Sequence, residues 1–221
     1  MRRRSLLLAL AAAAAVPGAA LADVQRIPLV KAFNLLDVYL GLPPAERTRF
    51  YLAYRALKDK RPDPAARATI VTANGARTPV VLDGAGLVLH LPTLAELKSA
   101  AVLEVEDPTL RLGLELRPVI ALSTRVDVGA LVLAMAQVNA AVAKLAGPLS
   151  IVAPKLTCAY FPDSGGGSAL LADGRTTPLP VTPAPFIGPV PYFDSAAAAG
   201  ARTVLLARTP SRILLGAHPK S

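Results

Sequence analysis

The chain has 221 residues, 53% hydrophobic and 18% charged, with no tryptophan and a formal charge of +9. That balance excludes a disordered chain and favours a well-packed body. The single cysteine, Cys158, excludes an intramolecular disulfide, and five tyrosines with five phenylalanines give little for a stacked-aromatic sugar platform.

Residues 1–22 read as a secretory signal peptide. Arg2-Arg3-Arg4 form a positive n-region, Ser5–Val16 an apolar h-region, and Pro17–Ala22 a small-residue cleavage region ending Ala20-Leu21-Ala22. The apolar run is short for a membrane anchor, and no cysteine follows it for lipid attachment. Arg3-Arg4-Ser5-Leu6-Leu7 loosely matches a twin-arginine signal, but charge followed by leucines is ordinary Sec chemistry, and Sec is preferred. The mature chain then begins at Asp23, and a bacterial periplasmic or secreted location is expected. Losing Arg2–Arg4 lowers the formal charge from +9 to +6. There the natural counterparts of a basic surface are acidic envelope proteins, anionic lipid or lipopolysaccharide, not nucleic acid.

Pro28–Gly41 is predicted as a short helix with Leu29, Phe33, Leu36 and Leu40 on one side, stopped by Gly41-Leu42-Pro43-Pro44. Arg49–Lys58 fits helix or strand; its alternation and aromatic content favour strand. This region carries the densest charge of the mature chain: Arg47, Arg49, Arg55, Lys58, Lys60 and Arg61. On a strand Arg49, Tyr51 and Arg55 share one face. Such a face suits an anion-binding surface, or simply a solvated strand and loop.

Arg67–Ala73, Pro79–Leu82 and Leu87–Leu91 are predicted as short strands, joined by turns at Asn74-Gly75 and Asp83–Gly86. A helical turn over Thr93–Lys98 precedes two strands, Val102–Glu106 and Leu110–Ile120, around a corner at Pro108. Glu104 and Glu106 would share a strand face beside Asp107. A glycosidase-type carboxylate pair is one reading; a solvated face is preferred.

Val126–Gly147 is the long helix of the chain, closed by Gly147-Pro148. Leu131, Met135, Val138, Val142 and Leu145 draw the stripe expected to be buried, and Thr124 or Asp127 can cap the start. A neighbouring face of Ala130, Ala134, Gln137, Ala141 and Lys144 is small or polar, so another element can approach closely. Gln137, Asn139 and Lys144 interrupt the apolar run, which favours a buried helix over a membrane span.

Element order recurs along the chain. Ala73–Val80 (ANGARTPV) matches Ala172–Leu179 (ADGRTTPL) at an offset of 99, as do Pro92 with Pro191 and Val105 with Val204. Gly41 matches Gly147 and Ala53-Tyr54 match Ala159-Tyr160 at an offset of 106, and Pro108 matches Pro210 at 102. The differences fall in predicted loops, as a duplication leaves them. The expected fold is therefore α+β: a tandem duplication of a mainly antiparallel unit with a packed helix, halves 23–125 and 126–221 sharing one core. The halves diverge at Val80–Pro92, whose counterpart Leu179–Pro191 with Pro178 carries six prolines. Prolines lack the amide proton of a ladder, so this stretch is expected to serve only as an edge or extended loop. Phe186, Ile187, Tyr192 and Phe193 are then candidate partner-binding residues on a stiff segment, or core residues beneath a protected edge.

No catalytic constellation emerges. Asp163-Ser164-Gly165-Gly166 resembles the nucleophile segment of chymotrypsin-like serine proteases, but the only histidines are His90 and His218, in no matching context. No metal spacing, phosphate loop or cofactor motif is present, and Cys158, in an apolar run, reads as a small core residue. The expectation is a non-enzymatic binding or scaffolding protein of the envelope. A periplasmic hydrolase with a dispersed site and a binder of anionic lipid or lipopolysaccharide are the alternatives.

Overall fold

The computed structural model describes residues 24–146, 155–184 and 188–219. The signal segment 1–22, the stop at Gly147-Pro148, and Phe186 and Ile187 lie outside the described residues.

The first half runs β1 (Gln25–Pro28), α1 (Leu29–Ala32), α2 (Leu36–Gly41), a 3-10 turn (Pro44–Arg47), β2 (Phe50–Lys58), β3 (Arg61–Pro62), β4 (Ala68–Val71), β5 (Arg77–Pro79), α3 (Leu94–Lys98), β6 (Val102–Val105) and β7 (Arg111–Pro118). The second runs β8 (Arg125–Asp127), α4 (Val128–Ala146), β9 (Cys158–Tyr160), β10 (Gly167–Leu171), β11 (Thr176–Pro178), β12 (Val181–Ala184), β13 (Gly188–Asp194), β14 (Ala201–Leu206) and β15 (Leu214–Gly216). The fold is mixed α+β, with every strand pair antiparallel. The four sheets are ordered β1-β6-β4-β5, β11-β10-β14-β8, β12-β13-β9-β15 and β3-β2-β7.

Read from the other edge, the second sheet has the order of the first. Thr69 opposes Pro79 as Ser168 opposes Pro178, and Ile27 opposes Leu103 as Val126 opposes Val204. Leu103, not Val105, therefore occupies the place of Val204. A two-residue slip keeps the same side chains facing inward, so the sequence match could not detect it. The helices do not correspond so closely. The helix expected over Pro28–Gly41 breaks at Leu35, which sits at φ 68. The break turns Leu29, Phe33 and Leu36 all into the core, whereas Leu40 stays half-buried.

In the second half α4 is continuous over 19 residues, and Asp127 caps it, its carboxylate accepting from the N–H of Ala130 at 2.9 Å. Its buried face holds Leu131, Ala134, Met135, Val138 and Ala141. Val142 is 36% exposed and does not belong to the stripe. Neighbours approach along the alanine row, so the small residues face inward and the branched one outward. No side-chain environment is described for Leu145. No helix among the described residues is long and apolar enough to cross a membrane.

The three polar residues of α4 are tethers between elements. Gln137 donates to the carbonyl of Ala45 at 3.1 Å and accepts from the N–H of Arg49 at 2.8 Å. Lys144 pairs with Glu46 at 2.7 Å, and Asn139 exchanges two 2.9 Å hydrogen bonds with the Leu156 backbone. Thus α4 packs on β8 and β14 of its own half and on the 3-10 turn, β2 and β7 of the other. One buried cluster runs from Leu29 to Leu215 through both halves.

The proline-rich stretch behaves differently from expectation. β12 is an edge, but β13 lies inside its sheet, pairing with both β12 and β9. The N–H of Tyr192 points to β12, donating to Pro180 O at 3.0 Å, and the carbonyl of Pro191 points to β9, accepting from Phe161 N at 3.0 Å. Alternate residues face opposite neighbours, so Pro189 and Pro191 turn toward the end of β9, where few donors are required. Pro183, opposite Pro189, faces away from β13 by the same alternation. In the first half the matching hairpin, expected to pair normally, pairs over a short length: Leu82 opposes Val88, Asp83 N donates to Leu87 O and Leu89 N to Val81 O, each at 2.9 Å, and Leu87 bridges to Arg55 of β2.

Candidate anion site between the halves

β2 alternates. Phe50, Leu52, Tyr54 and Ala56 enter the core, and Tyr51, Ala53 and Arg55 take the opposite face. On β7, Arg117 opposes Tyr51 and Glu115 opposes Ala53, which lines Arg55, Glu115, Arg117 and Tyr51 along that second face. β15 of the other half lies against β7, bringing Arg212 over the same spot.

The result is three guanidiniums around one carboxylate. Arg55 Nε donates to Glu115 at 2.8 Å, Arg117 Nε donates to its other oxygen at 2.9 Å, and Arg212 Nε stands 3.5 Å away. A further Arg55 N–H donates to Ala85 O. The side chains of Glu115, Arg117 and Arg212 are each only 12% exposed. Three cations directly against one carboxylate, with Asp163 a more distant second anion, leave positive charge in excess in a largely dry place. Arg212 Nε is the one buried side-chain nitrogen or oxygen among the described residues with no hydrogen-bond partner. A buried guanidinium nitrogen held only by this 3.5 Å ion pair is weakly satisfied.

Protonation follows the same balance. Burial pushes the Glu115 carboxyl up, but Arg55 and Arg117 outweigh it and hold the group below its usual range. Burial lowers the Arg212 guanidinium, and Arg55 and Arg117 push it further down against the pull of Glu115 and Asp163. Arg212 is thus the cation least well served by its surroundings.

Of the six basic residues singled out in the sequence, only Arg55 enters this cluster. Arg47 lies over the Tyr39 ring at 5.2 Å, and Lys58 pairs with Asp107 at 2.6 Å. Arg49, Lys60 and Arg61 are exposed. Glu115, Arg117 and Arg212 carried no sequence signal, because Arg212 lies 97 residues beyond Glu115 and reaches it only when the halves pack.

The acidic candidates prove structural. Glu104, only 6% exposed, is gripped by Arg26 at 2.9 Å and by Arg77, whose side chains are 69% and 57% exposed, and Glu106 on the same face is exposed, so the face carries a surface ion cluster. Asp107 caps its own turn by accepting from Thr109 N at 2.8 Å.

Of the aromatic candidates, Tyr192 and Phe193 are buried. Tyr192 packs on Tyr160 with ring centroids 5.6 Å apart, and the exposed His218 covers its edge. Neither ring offers a free face to a partner. Cys158 is fully buried beside Asp194, its cross-strand neighbour, and burial pushes its thiol up, which disfavours the reactive thiolate. Ser164 is also fully buried and donates to Phe161 O at 2.9 Å, so its hydroxyl cannot meet a substrate in this arrangement. No cluster of three or more histidine, cysteine or carboxylate ligands suited to a metal occurs among the described residues.

Comparison with known proteins gives no match: no protein-family model fits the chain, and no curated protein or solved structure is significantly similar to it.

Proposed function

We propose that the chain is exported to the bacterial envelope and acts there as a non-enzymatic binding module. Its anchor is the cluster Arg55, Arg117 and Arg212, and the group it takes is a carboxylate presented by an acidic envelope protein. The observation that carries this reading is the buried Arg212 Nε, which makes no hydrogen bond and is held only by a 3.5 Å ion pair to Glu115, in a cluster where three guanidiniums share one directly bound carboxylate. An incoming anion satisfies that donor and lowers the repulsion among the three guanidiniums. Tyr51, 40% exposed at the rim, marks the side from which it would enter.

Calorimetric titration with acetate, and with sulfate as a stronger probe, at constant ionic strength tests the site. Saturable binding that Arg212→Gln abolishes supports it; heats indistinguishable from those of chloride overturn it. Capture by anionic vesicles that fades with salt and ignores Arg212 would move the function to the exposed Lys60 and Arg61. Export itself is tested by intact mass: protein recovered from the periplasm should begin at Asp23. We also propose that the halves arose by tandem duplication, which the shared strand order of two sheets supports.

A further inference from the structure

A groove of about 310 Å³ opens on the first half, away from the arginine cluster. Its walls are Ile27 of β1, Ala32 of α1, Leu103 and Val105 of β6, and Leu110 and Leu112 at the start of β7. The ladders explain why it is open. Ile27 opposes Leu103 as Val126 opposes Val204, and five residues beyond each lie Ala32 and Leu131. The residue reached by the same count in the second half, Leu131, is fully buried. In the first half an alanine stands there, and α1 ends with it. Leu103, Val105 and Leu110 are themselves almost fully covered and form the floor, so the open apolar walls are the half-buried Ile27, Ala32 and Leu112.

The rim is cationic. Lys31 and Arg111 border the groove, and neither pairs with a carboxylate among the described residues. Arg111 is held in place by donating to the carbonyls of Pro108 and Leu110, each at 2.7 Å. An apolar trough with two free cations at its mouth matches an amphiphile: a hydrocarbon tail within and an anionic head at the rim.

We propose that this groove binds a single-chain carboxylate, its tail along Ile27, Ala32 and Leu103 and its head between Lys31 and Arg111. At about 30 Å³ per water-sized group the space takes about ten heavy atoms, enough for the nine-carbon chain of decanoate with its carboxylate left at the rim, and decanoate is therefore the probe. This is independent of the arginine cluster, since none of Arg55, Glu115, Arg117 or Arg212 lines the groove.

The test is titration of the purified protein with decanoate, followed by calorimetry, with decanol and decyltrimethylammonium as controls. Saturable binding of decanoate, tighter than decanol and much tighter than the cation, is expected. Ala32→Leu puts a larger apolar side chain into the groove; it should abolish binding and leave the melting temperature unchanged or higher. Lys31→Gln and Arg111→Gln, both on exposed side chains, should each weaken decanoate about fivefold while leaving decanol unaffected. If Ala32→Leu fails to fold, the two rim variants carry the test alone. No saturable binding, undiminished binding in folded Ala32→Leu, or equal loss of decanoate and decanol in the rim variants would overturn the assignment.

Discussion

Glu115→Gln isolates the charge balance on which the cluster between the halves rests. Glutamine keeps the shape of the side chain and one acceptor oxygen, but removes the only carboxylate among the described residues in direct contact with Arg55, Arg117 and Arg212. Removing one partner from a buried pair typically costs about 3–5 kcal/mol. The 12% exposure of the carboxylate and its two strongest partnerships place the expected loss near about 3 kcal/mol. For a chain of this size that is a fall of about 6–12 °C in melting temperature.

The loss should also depend on pH, with a definite sign. The folded Glu115 carboxyl lies below its unfolded value, held there by Arg55 and Arg117 against burial. Its contribution is therefore complete above the unfolded value, about 4.3, and disappears as pH falls through the lower folded one. Glu104, Asp107 and Asp173 are lowered too, so both proteins lose stability in acid. The difference between them is what reports Glu115. Urea unfolding at pH 7, 5 and 3 should give a gap that is full at the first two and narrower at the third. Equal stabilities at pH 7, or a gap that ignores pH, would show that the charge of Glu115 holds nothing together.

Within α4, Val138→Asp places an unpaired carboxylate in the core and should cost at least about 3 kcal/mol by urea denaturation, whereas Val142→Asp should cost under about 1 kcal/mol. Similar losses at both positions would refute the packing of the helix. Phe193→Ala should cost about 3–5 kcal/mol, as a fully buried ring does. A stable Phe193→Ala variant would return Phe193 to the candidate partner surface.

Much of the local structure was legible because a short-range rule governs it. Asn74-Gly75 and Asp173-Gly174 turn where expected, each glycine at positive φ and each Asx side chain accepting from the N–H two residues on. Thr93 and Glu96 form the complete capping box that starts α3. The alternation of Phe50, Leu52, Tyr54 and Ala56 marked β2 and its core face. What escaped notice depends on distant packing. Val142 outranks Ala141 in hydrophobicity, yet close approach along the alanine row decides which is covered. Arg55 reads as solvated until Glu115 of the neighbouring strand and the Ala85 carbonyl take up its guanidinium. The prolines of β13 look incompatible with a sheet interior until the register shows which way each missing amide faces. Leu35 gives no sign of its left-handed conformation, which the burial of Phe33 and Leu36 on either side imposes.

The final prediction concerns whether either half stands alone. α4 belongs to the second half by sequence, yet Gln137 and Lys144 hold the 3-10 turn of the first, and Arg212 completes the cluster on β2 and β7. Separation would expose the far face of β2 and β7 and leave Glu115 and its arginines facing water. It would also uncover the side of α4 that packs against the first half. Neither fragment keeps an undivided core, because the buried cluster runs continuously through both. Fragments 23–122 and 123–221 produced separately should each lack a cooperative thermal transition, and mixing them should restore one. The full chain should unfold in a single step. Two resolved transitions in the full chain, or cooperative unfolding of either fragment alone, would show that the halves are independent domains in contact.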